Sequence, residues 1–335
     1  MSEVWVYSLG VSLGSEPVDA LDLVSKHGPV RDGFLERTGF SRLYRSRRDE
    51  TGLSLALSAL GPPDSRWWAP DVDALIYVTS TGELVAPGNS HLLQEKLGLR
   101  KEILLLDLND ACTGFVRSLH LARSLIASGV AKVVLLVLSD TYSKLFEESD
   151  MKVSPLFSDG ASALIVSAAE MSSAPSSETP RNWQFLSHTF ISEGERANDL
   201  VVLKDTGRAG MGSLKMNGAA VFNFVLRNLA YSVESMTNAA EIDVQTVDRW
   251  YVHQGSRAVV SAVEKSLGLQ GVDLFRSGRY GNTVGSSLPF QLDADRAAAA
   301  DGEVIGLLAF GVGLSLAGTI VRQLPRHSPV IGDVR

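Results

Sequence analysis

Short apolar runs punctuate the chain at residues 4–9, 74–79, 103–108, 132–139 and 163–167. They are brief and dominated by Val, Leu, Ile and Ala, a pattern that predicts buried strands. Helical periodicity fills much of the space between them. Phe115, Leu119, Ala122 and Ile126 share one face of residues 115–126, Val221, Val225 and Leu229 one face of 218–235, and Val259, Val263 and Leu267 one face of 257–267. Further strands are predicted at 249–252, 302–309 and 316–322. Alternating strands and helices predict a layered α/β fold with a largely parallel sheet. The Ser/Pro-rich stretch 171–182 (MSSAPSSETPRN) interrupts the alternation and reads as a linker between residues 1–170 and 183–335. In each half a strand ends at a reactive-looking residue and runs straight into a helix. That shared plan suggests duplication, although no residue-level repeat is visible.

Residues 304–321 carry no charge over 18 positions, long enough for a membrane span. Four glycines interrupt them (306, 311, 313 and 318), so two buried strands joined at Phe310-Gly311-Val312-Gly313 are the better reading. The start of the chain lacks the basic-then-apolar pattern of a secretory signal, and the expected location is the cytoplasm. With 31 Lys+Arg against 38 Asp+Glu, the net charge of −7 gives no field to draw the chain to nucleic acid or an acidic membrane. The local basic stretch 42–48 (RLYRSRR) is either a solvated loop or a grip on a phosphorylated substrate. One cysteine and six scattered histidines exclude an internal disulfide and a cysteine-rich cluster, and no metal is expected.

Four segments carry candidate chemistry. In the first, LLLDLNDACTGF (104–115), an apolar strand stops and Cys112 sits where the next helix begins. Unpaired amides at a helix N-terminus favour a thiolate and are expected to lower its pKa. Alone, such a cysteine reads more readily as inert core. The second is His253 in Val252-His253-Gln254, at a strand end. The third is Asn282, flanked by Gly281 and Gly285, which alone reads as a turn. The fourth is the 310–313 turn, whose backbone amides are candidate oxyanion donors.

In this order the four segments resemble the beta-ketoacyl-carrier-protein synthase III group of the thiolase superfamily. Arg37-Thr38-Gly39, Phe157-Ser158-Asp159-Gly160-Ala161 and Met216-Asn217-Gly218 add to the likeness, which spans residues 3–323. The resemblance implies a thiolase-like fold of two duplicated α/β halves in five α-β-α-β-α layers, and a homodimer. It implies Cys112, His253 and Asn282 as the catalytic triad, with the backbone amides of Cys112 and Val312 as the oxyanion hole. No cofactor is implied beyond the thioester substrates themselves, which are acyl-CoA or acyl carrier protein. Arg37 and Lys152 are implied substrate contacts. Ala86 stands where the family often places a phenylalanine at the partner's acyl pocket.

The chain also departs from the group. Gly33 and Met151 occupy positions where a tryptophan and an arginine commonly hold coenzyme A. The helix motif after the histidine, His253-Gln254-Gly255-Ser256-Arg257-Ala258-Val259, lacks an arginine at its usual place. These departures suggest a specialised, secondary-metabolite pathway. Besides a decarboxylative condensing enzyme, two readings stay open: an acyltransferase to a hydroxyl or amine, and a non-catalytic partner subunit.

Overall fold

A computed structural model describes residues 3–30, 32–203, 212–269, 272–296 and 300–325. Among these residues the strands are β1 (Glu3–Leu13), β2 (Glu16–Asp19), β3 (Arg42–Arg45), β4 (Ala74–Val78), β5 (Leu104–Leu108), β6 (Val133–Asp140), β7 (Gly160–Ser167), β8 (Arg181–Ser192), β9 (Leu200–Leu203), β10 (Ser213–Met216), β11 (Arg249–Val252), β12 (Val304–Gly311) and β13 (Ser315–Leu324). The helices are α1 (Ala20–His27), α2 (Phe34–Thr38), α3 (Gly52–Ala59), α4 (Asn89–Leu97), α5 (Gly114–Ala127), α6 (Gly218–Ala239), α7 (Arg257–Ser266) and α8 (Ser287–Ala294). Side-chain caps fix several helix starts. Asp19 accepts the amides of Leu21 and Asp22, Thr51 and Ser54 form a reciprocal box, and Asn217 and Ser256 cap α6 and α7.

Nine strands form one sheet in the order β11-β12-β13-β8-β1-β7-β6-β4-β5. The first half of the chain supplies β1 and β4–β7, and the second supplies β8 and β11–β13. They meet where Glu3–Val6 of β1 runs antiparallel to Arg181–Gln184 of β8. The sheet is mixed rather than largely parallel. Three neighbouring pairs are parallel (β4 with β5, β4 with β6, β11 with β12) and five antiparallel. Of the antiparallel pairs, β12 returns into β13 through a short connection of three residues, and the others join strands distant in the sequence. That return accounts for the uncharged stretch 304–321 as two buried strands. No helix among the described residues is long and apolar enough to cross a membrane.

Three separate apolar clusters define the layering. Leu55, Ala56 and Ala59 of α3, with Leu93 of α4, cover one face of the first-half strands at Tyr7, Leu75, Tyr77 and Leu135. Phe224, Val225, Leu229 and Met236 of α6, with Val260 and Val263 of α7, cover the second-half strands at Trp250, Val252, Leu308 and Ile320. Between the halves, Phe115, Val116 and Leu119 of α5 and Leu288 and Leu292 of α8 pack on Ile76 and Leu136 from one half and on Leu307 and Ala317 from the other. Since α5 touches both halves, the sheet must fold back around it. The result is helix, sheet, helix, sheet, helix: the five-layered thiolase-like arrangement.

Two sequence expectations change. The basic stretch 42–48 begins as strand β3, paired with β2, rather than as loop throughout. Arg45 is held at Glu148 (3.3 Å) and by the Ser154 hydroxyl (2.7 Å). The stretch 171–182 ends inside β8, which opens at the buried Arg181, whose guanidinium donates to the Leu292 carbonyl at 2.7 Å.

Candidate active site

After β5, one turn of 3-10 helix (Ala111–Thr113) leads into α5 and places Cys112 in it, only 4% exposed. Ala111 takes a left-handed φ of 40°, an uncommon conformation for a residue with a Cβ. The turn is tightly surrounded. A Cβ on Gly114 would lie 2.5 Å from Val78 Cγ1, and one on Gly311 would lie 2.7 Å from Cys112 Cβ and 2.8 Å from its Sγ. Glycine at 311 therefore makes room for the thiol itself.

β11 delivers His253 at its end, where the backbone N–H donates to the Leu308 carbonyl at 2.8 Å. The next side chain, Gln254, is locked from both ends. Its Nε2 donates to the carbonyls of Val252 (2.8 Å) and Leu274 (3.0 Å), and its Oε1 accepts the Arg276 amide (2.8 Å). The His253 ring meets Phe310 edge-on at 5.4 Å, and its Nδ1 is buried without a partner. Burial pushes its pKa down to about 3, so the imidazole is neutral near pH 7.

Asn282 is threaded between backbone groups: its N–H donates to Leu156 (3.0 Å) and its carbonyl accepts from Ser158 (2.9 Å). Gly281 next to it has φ 77°, and a Cβ there would lie 2.5 Å from Ser158 Oγ. The Asn282 Oδ1 accepts the Val284 amide at 2.9 Å, which turns the Nδ2 donor outward from that bond. A neutral imidazole and a fixed amide donor suit hydrogen bonding to an oxygen that becomes negative.

Cys112, His253, Asn282, Phe157, Phe310 and Gly311 line one cavity of about 120 Å³. The backbone amides of Cys112 and Val312 both bear on the thiol and favour its ionised form. They do not prevail. Burial, followed by the charge of Asp140, pushes the thiol up to about 12, contrary to the lowering expected from a helix start. The balance favours the protonated thiol at rest.

Arg37, Met151 and Lys152 line a second, open pocket of about 640 Å³, together with Phe34 and Pro155. Leu156 lines both cavities, so the open pocket adjoins the buried one. Ala86 is not brought to either. It lies on an exposed loop between Leu84 and Pro87, beside Val85 at 94% exposure. Among the described residues no three metal-ligating side chains converge.

Sequence reading passed over Asp140. It ends β6, is buried, and accepts the Ser80 amide at 2.8 Å, yet burial raises its carboxyl to about 7. An acid closing an otherwise apolar strand was the available signal.

A family profile described as 3-oxoacyl-[acyl-carrier-protein] synthase III matches residues 106–180, and its C-terminal counterpart matches 237–323. A beta-ketoacyl-[acyl-carrier-protein] synthase III of Staphylococcus haemolyticus is 27% identical over 284 residues, 84% of this chain and 86% of the relative. One from Clostridium perfringens is 28% identical over 298 residues, 85% and 89% respectively. The solved 3-oxoacyl-(acyl-carrier protein) synthase of Burkholderia xenovorans superposes with a TM-score of 0.80 at 26% identity, covering 96% of each chain. Together with the layered fold, these matches make the chain a beta-ketoacyl-carrier-protein synthase III-like enzyme of the thiolase superfamily, a condensing transferase.

Proposed function

We propose that the enzyme condenses an acyl group held on Cys112 with a malonyl-type thioester to give a 3-oxoacyl thioester. The observation that carries this reading is the convergence of Cys112, His253 and Asn282 on one small cavity beside an open pocket. The donor is an acyl-CoA or an acyl carrier protein, whose thioester arm would lie along Arg37 and Lys152 and reach past Leu156. Cys112 Sγ bonds to the acyl carbon, the donor's carbon–sulfur bond breaks, and the thiol proton ends on the departing sulfur. The amides of Cys112 and Val312 hold the oxyanion meanwhile.

The malonyl-type thioester then loses carbon dioxide, and its electron pair becomes an enolate. His253 Nε2 and Asn282 Nδ2 donate to that enolate oxygen, a task for which a neutral imidazole is suited. The enolate carbon attacks the acyl carbon on Cys112, the carbon–sulfur bond to Cys112 breaks, and the released thiolate takes up a proton from solvent. No cofactor enters the sequence beyond the thioester arms of the substrates.

The working unit is proposed to be a homodimer. Among the described residues β5 ends the sheet with one side unpaired, and the exposed apolar loop at Leu84, Val85 and Ala86 would then reach a partner's acyl pocket. Gly33 and Met151, where coenzyme A contacts are common in the group, favour a specialised pathway. Labelled carbon dioxide released from carboxyl-labelled malonyl thioester, dependent on prior acylation, is the expected result. Acyl transfer to an alcohol or amine with no release would replace condensation by simple acyl transfer.

A further inference from the structure

Gly255 lies two residues beyond His253, lines the same cavity, and precedes the Ser256 cap of α7. Glycine loses more conformational freedom on folding than any other residue, so one held without a backbone or packing need points to a use for the space. Neither need is present here. The φ of Gly255 is not positive. A Cβ built on it would lie 3.8 Å from His253 Cδ2, 3.8 Å from Phe310 Cε2 and 3.9 Å from His253 Nε2, with nothing closer. These are ordinary van der Waals separations. At Gly311, on the same cavity, the Cys112 side chain takes up the room that the missing carbon leaves. At Gly255 that room belongs to the cavity, and it borders the nitrogen that donates to the acceptor's enolate oxygen. In an enolate one carbon separates the oxygen from the reacting carbon. A group on the reacting carbon therefore comes within a few ångströms of the same nitrogen. Val221, Val259 and Phe310 also line the cavity and suit an alkyl group.

We propose that Gly255 makes space for an alkyl substituent on the acceptor's reacting carbon, so that the enzyme condenses 2-alkylmalonyl thioesters as well as malonyl ones. This rests on the condensation reading and on His253 as the enolate's donor. The bond from the reacting carbon to its carboxylate breaks, carbon dioxide leaves, and the electron pair becomes the alkyl-bearing enolate. That carbon bonds to the acyl carbon as the bond to the Cys112 sulfur breaks, and the thiolate takes up a proton from solvent. The product is a 2-alkyl-3-oxoacyl thioester.

For the test, the enzyme is acylated from acetyl-CoA or hexanoyl-CoA, as checked by intact mass. It then receives malonyl or racemic 2-methylmalonyl thioesters of coenzyme A and of an acyl carrier protein, and the 3-oxoacyl product is timed by mass spectrometry. The wild type should condense 2-methylmalonyl within about tenfold of the malonyl rate. One methyl in an apolar pocket is worth roughly ten- to two-hundredfold, so Gly255→Ala should lower the ratio of the 2-methylmalonyl to the malonyl rate by at least about tenfold. The added carbon meets only ordinary contacts, so the variant should fold, which circular dichroism checks, and the wild-type comparison stands without it. A wild type that condenses 2-methylmalonyl more slowly than that limit, or a ratio that Gly255→Ala leaves unchanged, overturns the proposal while condensation stands. A wild type that gives no product from malonyl overturns both readings.

Discussion

Replacing Gly311 by alanine should disable the nucleophile while leaving the fold standing. Its backbone conformation is one that any residue adopts, so the effect is purely one of space. The added carbon would lie 2.7 Å from Cys112 Cβ and 2.8 Å from Sγ, against about 3.5–4.0 Å for ordinary carbon contacts. Relief needs a displacement of about 1 Å, shared between the β12–β13 turn and the Cys112 side chain. Overpacking of this kind costs about 1–3 kcal/mol of stability. A misplacement of about 1 Å at a reacting atom costs about a hundredfold in rate. The same shift disturbs the Val312 amide, one residue away. Denaturant unfolding gives the stability change, and single-turnover acylation followed by intact mass gives the rate. A folded Gly311→Ala enzyme should thus acylate about a hundredfold more slowly. A folded variant that acylates at the wild-type rate would show that the thiol is not held against this turn.

His253→Ala and Asn282→Ala should slow the step after acylation more than acylation itself, as resolved by single-turnover kinetics, and equal loss in both steps would make His253 a base for Cys112. Because burial holds His253 neutral down to about pH 3, the condensation rate should show no inflection at the ordinary histidine value of about 6.5. An inflection there that disappears in His253→Ala would contradict its buried, neutral state. Asp140 makes the opposite kind of mark. Its native carboxyl keeps a proton up to about pH 7 that the unfolded chain gives up near pH 4, so the native state binds more protons in that window and stability falls as pH rises through it. Asp140→Asn should flatten that decline in urea unfolding between pH 4 and 7, and an unchanged slope would mean that Asp140 is solvated.

What the chain revealed in advance follows from how each element is buried. β4, β6 and β12 are covered on both faces, so their sequences are unbroken apolar runs. β8 lies in the middle of the same sheet yet has no such run. Trp183, Phe185, Ser187 and Thr189 alternate with partly exposed partners, and the buried polar ones blur even the alternation. Helix α8 was invisible for the opposite reason: Ser287 through Leu292 are all buried, so no polar face sets a period. The site divides in a similar way. Cys112, His253 and Asn282 announce themselves because each closes a strand or sits among glycines that a close approach requires. Asp140 has only its place at the end of β6 to mark it in the sequence, and its burial could not be read there. The direction of the thiol's pKa was also beyond sequence reading. Backbone amides at a helix start can be inferred from a pattern, whereas the near-complete burial that outweighs them cannot.

The central claim is that Cys112 carries the acyl group, and intact-mass analysis after incubation with an acyl-CoA tests it directly. The wild-type enzyme should gain the mass of one acyl group per chain, and Cys112→Ala, still folded, should gain none. An alanine variant that acquires the acyl mass would place the nucleophile elsewhere and contradict the account.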